Sequence, residues 1–399
     1  MSAFDDALLH TVLAVEGSTL MPHLVSVTVL RDLHGRIRLL LEFPADGEKG
    51  EKDLLPSDWQ TAKDDLARRL AADLGPYWGG QIWRGRRRDD VAFQAAREAI
   101  ARDRQAWRDV PTTHATLRWY KLERQFSKSS WLVGNAQPPW DIRSSPDDPA
   151  IVSFYSFKGG VGRTVAVAAV AMLLAQAGRR VIALDLDLEA PGLGLLLLGQ
   201  SALSDEGIVD YLIERQVRNT RPPILAPYVA LQTDTRLVGS QPVRVMRAGQ
   251  LNAGFLEKIA RLDFEGFVQN QPGPLADLLD HLREEYRPEF ILLDVRSGLH
   301  DLGGLSLNGL SHLDVLFGRE EPQSWAGLDV VLGLLGLATT RRDVFLVHAQ
   351  VPPPEVDPGA HDRFRERAFD LFRSRYYTQE DEVEDISAPA APYGIPIPY

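Results

Sequence analysis

The chain contains no cysteine, which excludes disulfide scaffolds, thiolate nucleophiles and cysteine-ligated iron–sulfur clusters. Nor does it carry an excess of positive charge. Its 44 Lys and Arg stand against 55 Asp and Glu, a formal net charge of −11, which argues against a surface built mainly to neutralise nucleic-acid phosphates. No run reaches the roughly 18 uninterrupted apolar residues of a membrane span, and the acidic start MSAFDDALLH lacks the layout of a secretory signal. A cytoplasmic protein without membrane attachment is the expectation. The 9 histidines show no H-x-x-x-H spacing, so no histidine-based metal site is expected. What is present is ordinary: 44% hydrophobic residues are enough for a large core, and 399 residues suggest two or three domains.

Residues 1–133 read as a small α+β domain. Apolar spacing predicts a helix over residues 4–15, and β-rich runs at 25–30 and 36–43 flank a hairpin turn at Asp32-Leu33-His34-Gly35. Ser57 and Gln60 are spaced as a capping box for a helix whose Leu66, Leu70 and Leu74 share a face. A short strand at 81–84, a helix at 89–107 and a strand at 113–123 complete this unit. Its densest basic cluster, Arg84, Arg86, Arg87 and Arg88, follows Trp83. Stacking on nucleic-acid bases and an ordinary solvated turn both remain open there.

Residues 134–149 are rich in Gly, Pro and Ser and read as a linker. After it, apolar strands alternate with longer helical stretches, the signature of a mainly parallel, doubly wound α/β sheet. Strands are predicted at 151–157, 181–185, 290–293, 313–317 and 344–348, and the domain extends over 150–375. Phe364, Phe369 and Phe372 form a stripe on a last helix, read as core packing. Residues 376–399 are acidic and then Pro-rich, read as an extended or disordered tail.

The stretch Phe157-Lys158-Gly159-Gly160-Val161-Gly162-Arg163-Thr164 lies between the first of these strands and a helix. Three glycines let successive backbone N–H groups turn inward, and the helix N-terminus adds partial positive charge, so the stretch can cradle phosphate. Asp185 and Asp187 end the next strand as D-L-D and project to one side. Asp294 ends the strand at 290–293.

These residues resemble the deviant Walker A loop of the ParA/MinD class, K-G-G-x-G-K-T. Arg163 stands where that pattern has its second lysine, and the strings FYSFKGGVGRT and DLDLEAPGL are similar to the KGGVGR-variant branch of those P-loop NTPases. The resemblance spans residue 150 to about residue 375. It implies ATP and Mg2+ as ligands. The nucleotide contacts would come from Lys158, Gly159, Gly160, Val161, Gly162, Arg163, Thr164 and Val165, and the metal would be held by Thr164, Asp185 and Asp294. Lys158 would reach across a homodimer interface toward the partner's nucleotide, and Asp187 would orient the attacking water. Glu189-Ala190-Pro191-Gly192-Leu193 would be the switch loop, and Asp294 would close a Walker B strand. Where the family continues with two prolines and a glycine, this chain reads Val295-Arg296-Ser297-Gly298; Arg296 or Lys158 is a candidate charge-stabilising finger, and a surface or salt-bridge role for Arg296 stays open.

Two readings of Arg163 stay open: a phosphate contact, or a loop that binds nucleotide and hydrolyses it poorly. No guanine motif follows the loop, and the adenine neighbourhood is expected at 348–352. The function expected is an ATP-dependent switch in a bacterial multi-component system, of defence or signalling, with an unidentified protein partner at the N-terminal domain. The alternatives are a non-hydrolysing scaffold and a ligase of the dethiobiotin-synthetase type.

Overall fold

In the computed structural model the chain divides into two compact units, Met1–Phe126 and Ser127–Tyr399. The structure describes residues 3–46, 52–53, 55–84, 91–114, 116–124, 127–132, 137–145, 147–199, 206–217, 222–263, 273–337, 342–377 and 393–398.

The first unit is built on strands β1 (Ser26–Arg31), β2 (Ile37–Glu42), β5 (Trp78–Arg84), β6 (Gln105–Ala106) and β7 (Arg118–Glu123) in the order β5-β2-β1-β7-β6; β3 (Ala45–Asp46) and β4 (Lys52–Asp53) pair separately. The turn between β1 and β2 forms as the sequence predicts. Gly35 takes φ +79°, and Asp32 Oδ1 accepts the N–H groups of His34 and Arg36. The helix Trp59–Leu74 buries Ala62, Leu66, Leu70 and Leu74 at i+4 spacing. Its expected capping box does not form. Asp58 is the N-cap without a side-chain bond, so Gln60 falls one position short of the reciprocal site, and its amide donates to Asp64 instead.

The second unit carries an eight-stranded sheet in the order β10-β11-β9-β12-β8-β13-β14-β15. Its strands are β8 (Ala150–Ser156), β9 (Val181–Leu186), β10 (Ala230–Gln232), β11 (Val243–Met246), β12 (Phe290–Val295), β13 (Leu313–Gly318), β14 (Asp343–Val351) and β15 (Ile395–Pro398). Every pairing is parallel except β10 with β11. Alternate residues feed two cores. Ile151 and Tyr155 join one with Leu278, Leu279 and Leu328, whereas Val152 and Phe154 join the other with Val167, Ala168 and Ala171. Helices therefore cover both faces, as a doubly wound sheet requires.

Three features depart from the sequence reading. The helix Ser129–Leu132 and Trp140, within or next to the stretch read as linker, belong to the second unit. Trp131 is buried and its Nε1 donates to the His300 carbonyl at 2.7 Å, while Trp140 Nε1 donates to Pro149 O at 2.8 Å. The short strands β10 and β11 extend the sheet on one side. On the other side, residues 395–398 of the Pro-rich tail form β15, beyond the buried Tyr393. Phe364 and Phe372 are fully buried, in keeping with core packing of that stripe.

Candidate functional site

The order β9-β12-β8 brings three strand ends together at the carboxyl edge of the sheet, where doubly wound folds bind ligands. Asp185 and Asp294 are direct register partners on β9 and β12. β8 leads into the loop 157–162, and the helix Arg163–Gln176 follows. Gly160 and Gly162 take φ of +75° and +80°, the left-handed region that a glycine-rich loop needs to turn its amides inward. At both, a Cβ would meet nothing within 4 Å, so the backbone conformation and not crowding is what favours glycine there. The N-cap is Gly162, which has no side chain to bond the amides of the helix's first turn, the groups that can hold an anion.

Beside this loop sit three carboxylates. Asp185 is buried, and its Oδ2 accepts the N–H groups of Gly192 and Leu193, both at 3.0 Å, so it anchors the predicted switch loop from beneath. Burial, with Asp294 and Asp187 beside it, pushes its pKa up to about 8. Asp294 is fully buried and also raised, by burial first, with Arg163 and the Thr164 hydroxyl pulling the other way. Its Oδ2 makes no hydrogen bond. Asp187 Oδ1 accepts the Ala190 N–H at 3.2 Å.

The cations each meet a carboxylate. The Arg163 guanidinium, largely buried, donates from Nε to Asp294 Oδ1 at 2.6 Å and from one terminal nitrogen to Asp187 Oδ2 at 3.1 Å. It thus joins the ends of two strand segments rather than facing the loop alone. Arg296 lies 2.7 Å from Glu189 Oε2 and 3.8 Å from Asp187 Oδ1. His300 Nε2 lies 3.3 Å from Glu189 Oε1, and burial holds its imidazole below the usual range. Lys158 Nζ donates to Glu321 Oε2 at 2.8 Å, from the segment after β13.

The residues singled out from sequence around residues 158–165, 185–189 and 294–296 therefore converge on one end of the sheet. Val165 is exposed on the first turn of the helix. Among the described residues no three His, Asp or Glu side chains form a metal cage by themselves. A hard cation here would need Thr164, water or ligand oxygens to complete its shell, the common mode for Mg2+. The expected adenine neighbourhood lines a cleft of about 380 Å3 formed by His348, Ala349, Gln350 and Pro352 with Arg319 and Glu320.

Residues 152–297 match the CobQ/CobB/MinD/ParA nucleotide binding domain. The match lies within the second unit and includes the glycine loop, Asp185, Asp187 and Asp294. Among solved structures the chain is similar to a ParA family ATPase from Chlorobium tepidum (16% identity, 55% of this chain and 80% of that one, TM-score 0.42). It is also similar to a plasmid partition protein from Borrelia burgdorferi (16% identity, 57% and 88%, TM-score 0.42) and to the septum site-determining protein MinD complexed with Mg-ADP from Pyrococcus horikoshii (21% identity, 54% and 76%, TM-score 0.38). No curated protein matches the chain.

Sequence reasoning missed the partners that come from far along the chain. Glu321 and His300 carry no local motif, and Lys158 is 163 residues from the carboxylate it pairs with. Arg86, Arg87 and Arg88 lie outside the described residues. No described helix is long and apolar enough to cross a membrane.

Proposed function

We propose that the second unit binds ATP with Mg2+ and uses the nucleotide as a switch, with turnover or nucleotide loss reopening a homodimer. The observation that carries this reading is a glycine-rich loop, left-handed at Gly160 and Gly162, set against Asp185 and Asp294 on adjacent strand ends and Asp187 just beyond. The residues fit the ligand pair. Asp294 Oδ2 is buried and unpartnered, and Asp187 and Asp294 share the buried Arg163 guanidinium with Asp185 beside them, a cluster of carboxyl oxygens that a divalent cation would engage. Thr164, Asp185 and Asp294 would hold the metal; Gly159 through Val165 would hold the phosphates. Mg2+, when bound, would neutralise charge on the phosphate oxygens.

The chain's own residues supply the remainder. Asp187 would accept and orient the attacking water, and Arg296 would answer charge developing on the transferred phosphoryl group. Lys158 would exchange Glu321 for a phosphate of the partner's nucleotide, so dimerisation would follow nucleotide state. The first unit would supply the contact with a protein partner.

A second reading, a scaffold that binds nucleotide without turnover, is favoured by one observation: Arg163 already joins Asp187 to Asp294. Calorimetry with Mg-ATP, phosphate release and solution mass separate the two. On the switch reading Asp187→Ala lowers turnover about 100-fold or more with binding retained, and Lys158→Ala abolishes the ATP-dependent gain in mass. Dimerisation indifferent to both ATP and Lys158 overturns the switch. Binding without turnover in the wild type supports the scaffold.

A further inference from the structure

We infer that Gln350 is a positioning residue that locks one peptide of the phosphate loop to the neighbouring cleft, and that β15 holds it there. The inference rests on the nucleotide reading above. Gln350 is one of three described non-glycine residues with positive φ, at +55°. That conformation is disfavoured for a side chain with a Cβ and persists where the surroundings impose it. The cause is visible in the strand register. β15 pairs Ala349 with Ile397 and then Val351 with Pro398, leaving Gln350 out of the ladder as a bulge.

The bulge turns the side chain toward the phosphate loop, where Gln350 Nε2 donates to the Gly160 carbonyl at 3.0 Å. That carbonyl and the Val161 N–H belong to the same rigid peptide plane and point in opposite directions. Holding the oxygen on Gln350 therefore aims the Val161 amide away from it, one of the donors a phosphate would need. Gln350 also lines the cleft with His348 and Pro352, so a single side chain touches both parts of the site.

The strap itself is anchored by a side chain more than by its ladder. Pro396 and Pro398 have no N–H to donate. Tyr393, however, is fully buried, with ring centroids 5.2 Å from Phe369 and 5.5 Å from Phe372. Gln350 acts through the backbone of residues 160–161, which a motif search cannot register.

The test uses the full chain, calorimetry with Mg-ATP and with Mg-tripolyphosphate, and thermal unfolding without ligand. Gln350→Gly accepts the left-handed backbone, so the ligand-free melting temperature is expected to stay or rise. Affinity for both ligands is expected to fall about 3- to 10-fold, the worth of one hydrogen bond. Gln350→Glu, isosteric without the donor, is expected to lose at least as much. A chain ended after Gly394 is expected to show the same loss, with no further loss when Gln350→Gly is added to it. Unchanged affinity in Gln350→Gly overturns the inference, as does weakening of Mg-ATP alone, which would make Gln350 a base contact only. Additive losses overturn the role of β15. A wild type that binds neither ligand overturns the nucleotide reading itself, an outcome distinct from equal binding by wild type and variant.

Discussion

Arg163 stands where a lysine is common in such loops, and its chemistry explains its placement. A planar guanidinium can bond two carboxylates at once, whereas an ammonium is a compact point charge. Here it spans Asp294 and Asp187, and removing it leaves three buried carboxylates with no buried cation between them. Arg163→Ala is expected to destabilise the ligand-free protein by about 3 kcal/mol or more, read from denaturant midpoints. The same cluster sets a pH dependence. Asp185 is raised from 3.8 to about 8 by burial and by Asp294 and Asp187, so between those values the folded chain holds a proton that the unfolded chain has released. Its contribution to stability is complete at acid pH and is lost as pH rises through about 8. Urea midpoints are expected to fall over that range and to flatten in Asp185→Asn.

Within single elements, the agreement between sequence and structure follows the range of the forces involved. The strand β12 was readable as a short apolar run, and it is buried over residues 291–295. The strands β10 and β11 were not readable. At three and four residues they are too short for periodicity, and they exist because β9 offers an edge to pair with. The capping box failed because the helix starts one residue later than its spacing needs. In the glycine loop the left-handed backbone is legible from sequence, since that conformation is a property of glycine itself. Gly162 takes φ +80°; Gly162→Ala is expected to cost about 1 kcal/mol of stability and to weaken Mg-ATP binding more than tenfold, by calorimetry, because it realigns the first free amides of the helix.

For the molecule as a whole, the division falls between Phe126 and Ser127. Composition alone placed it at the Gly- and Pro-rich stretch a few residues later. The difference is physical: Trp131 fills the core of the second unit and bonds the His300 carbonyl, and Ser130 Oγ donates to the Asp301 carbonyl at 2.8 Å. A fragment comprising residues 127–399 is expected to unfold at the temperature of one of the transitions of the full chain. A fragment beginning at residue 134 is expected to be less stable by about 3 kcal/mol, the scale of losing a buried tryptophan, as scanning calorimetry would register.

What the sequence determined by itself is whatever depends on neighbours a few residues apart. The glycine loop between strand and helix, the aspartates at strand ends and the two-faced apolar strands of a doubly wound sheet are of this kind. What only the tertiary structure decided are the partners of the polar and charged side chains: Arg163 with Asp294, Lys158 with Glu321, Arg296 with Glu189, and Gln350 with Gly160. All four pairings join residues more than 100 positions apart, and no local preference encodes them. They follow from strand order, which brings distant strand ends to one edge and leaves each buried or half-buried charge to find its counterion there.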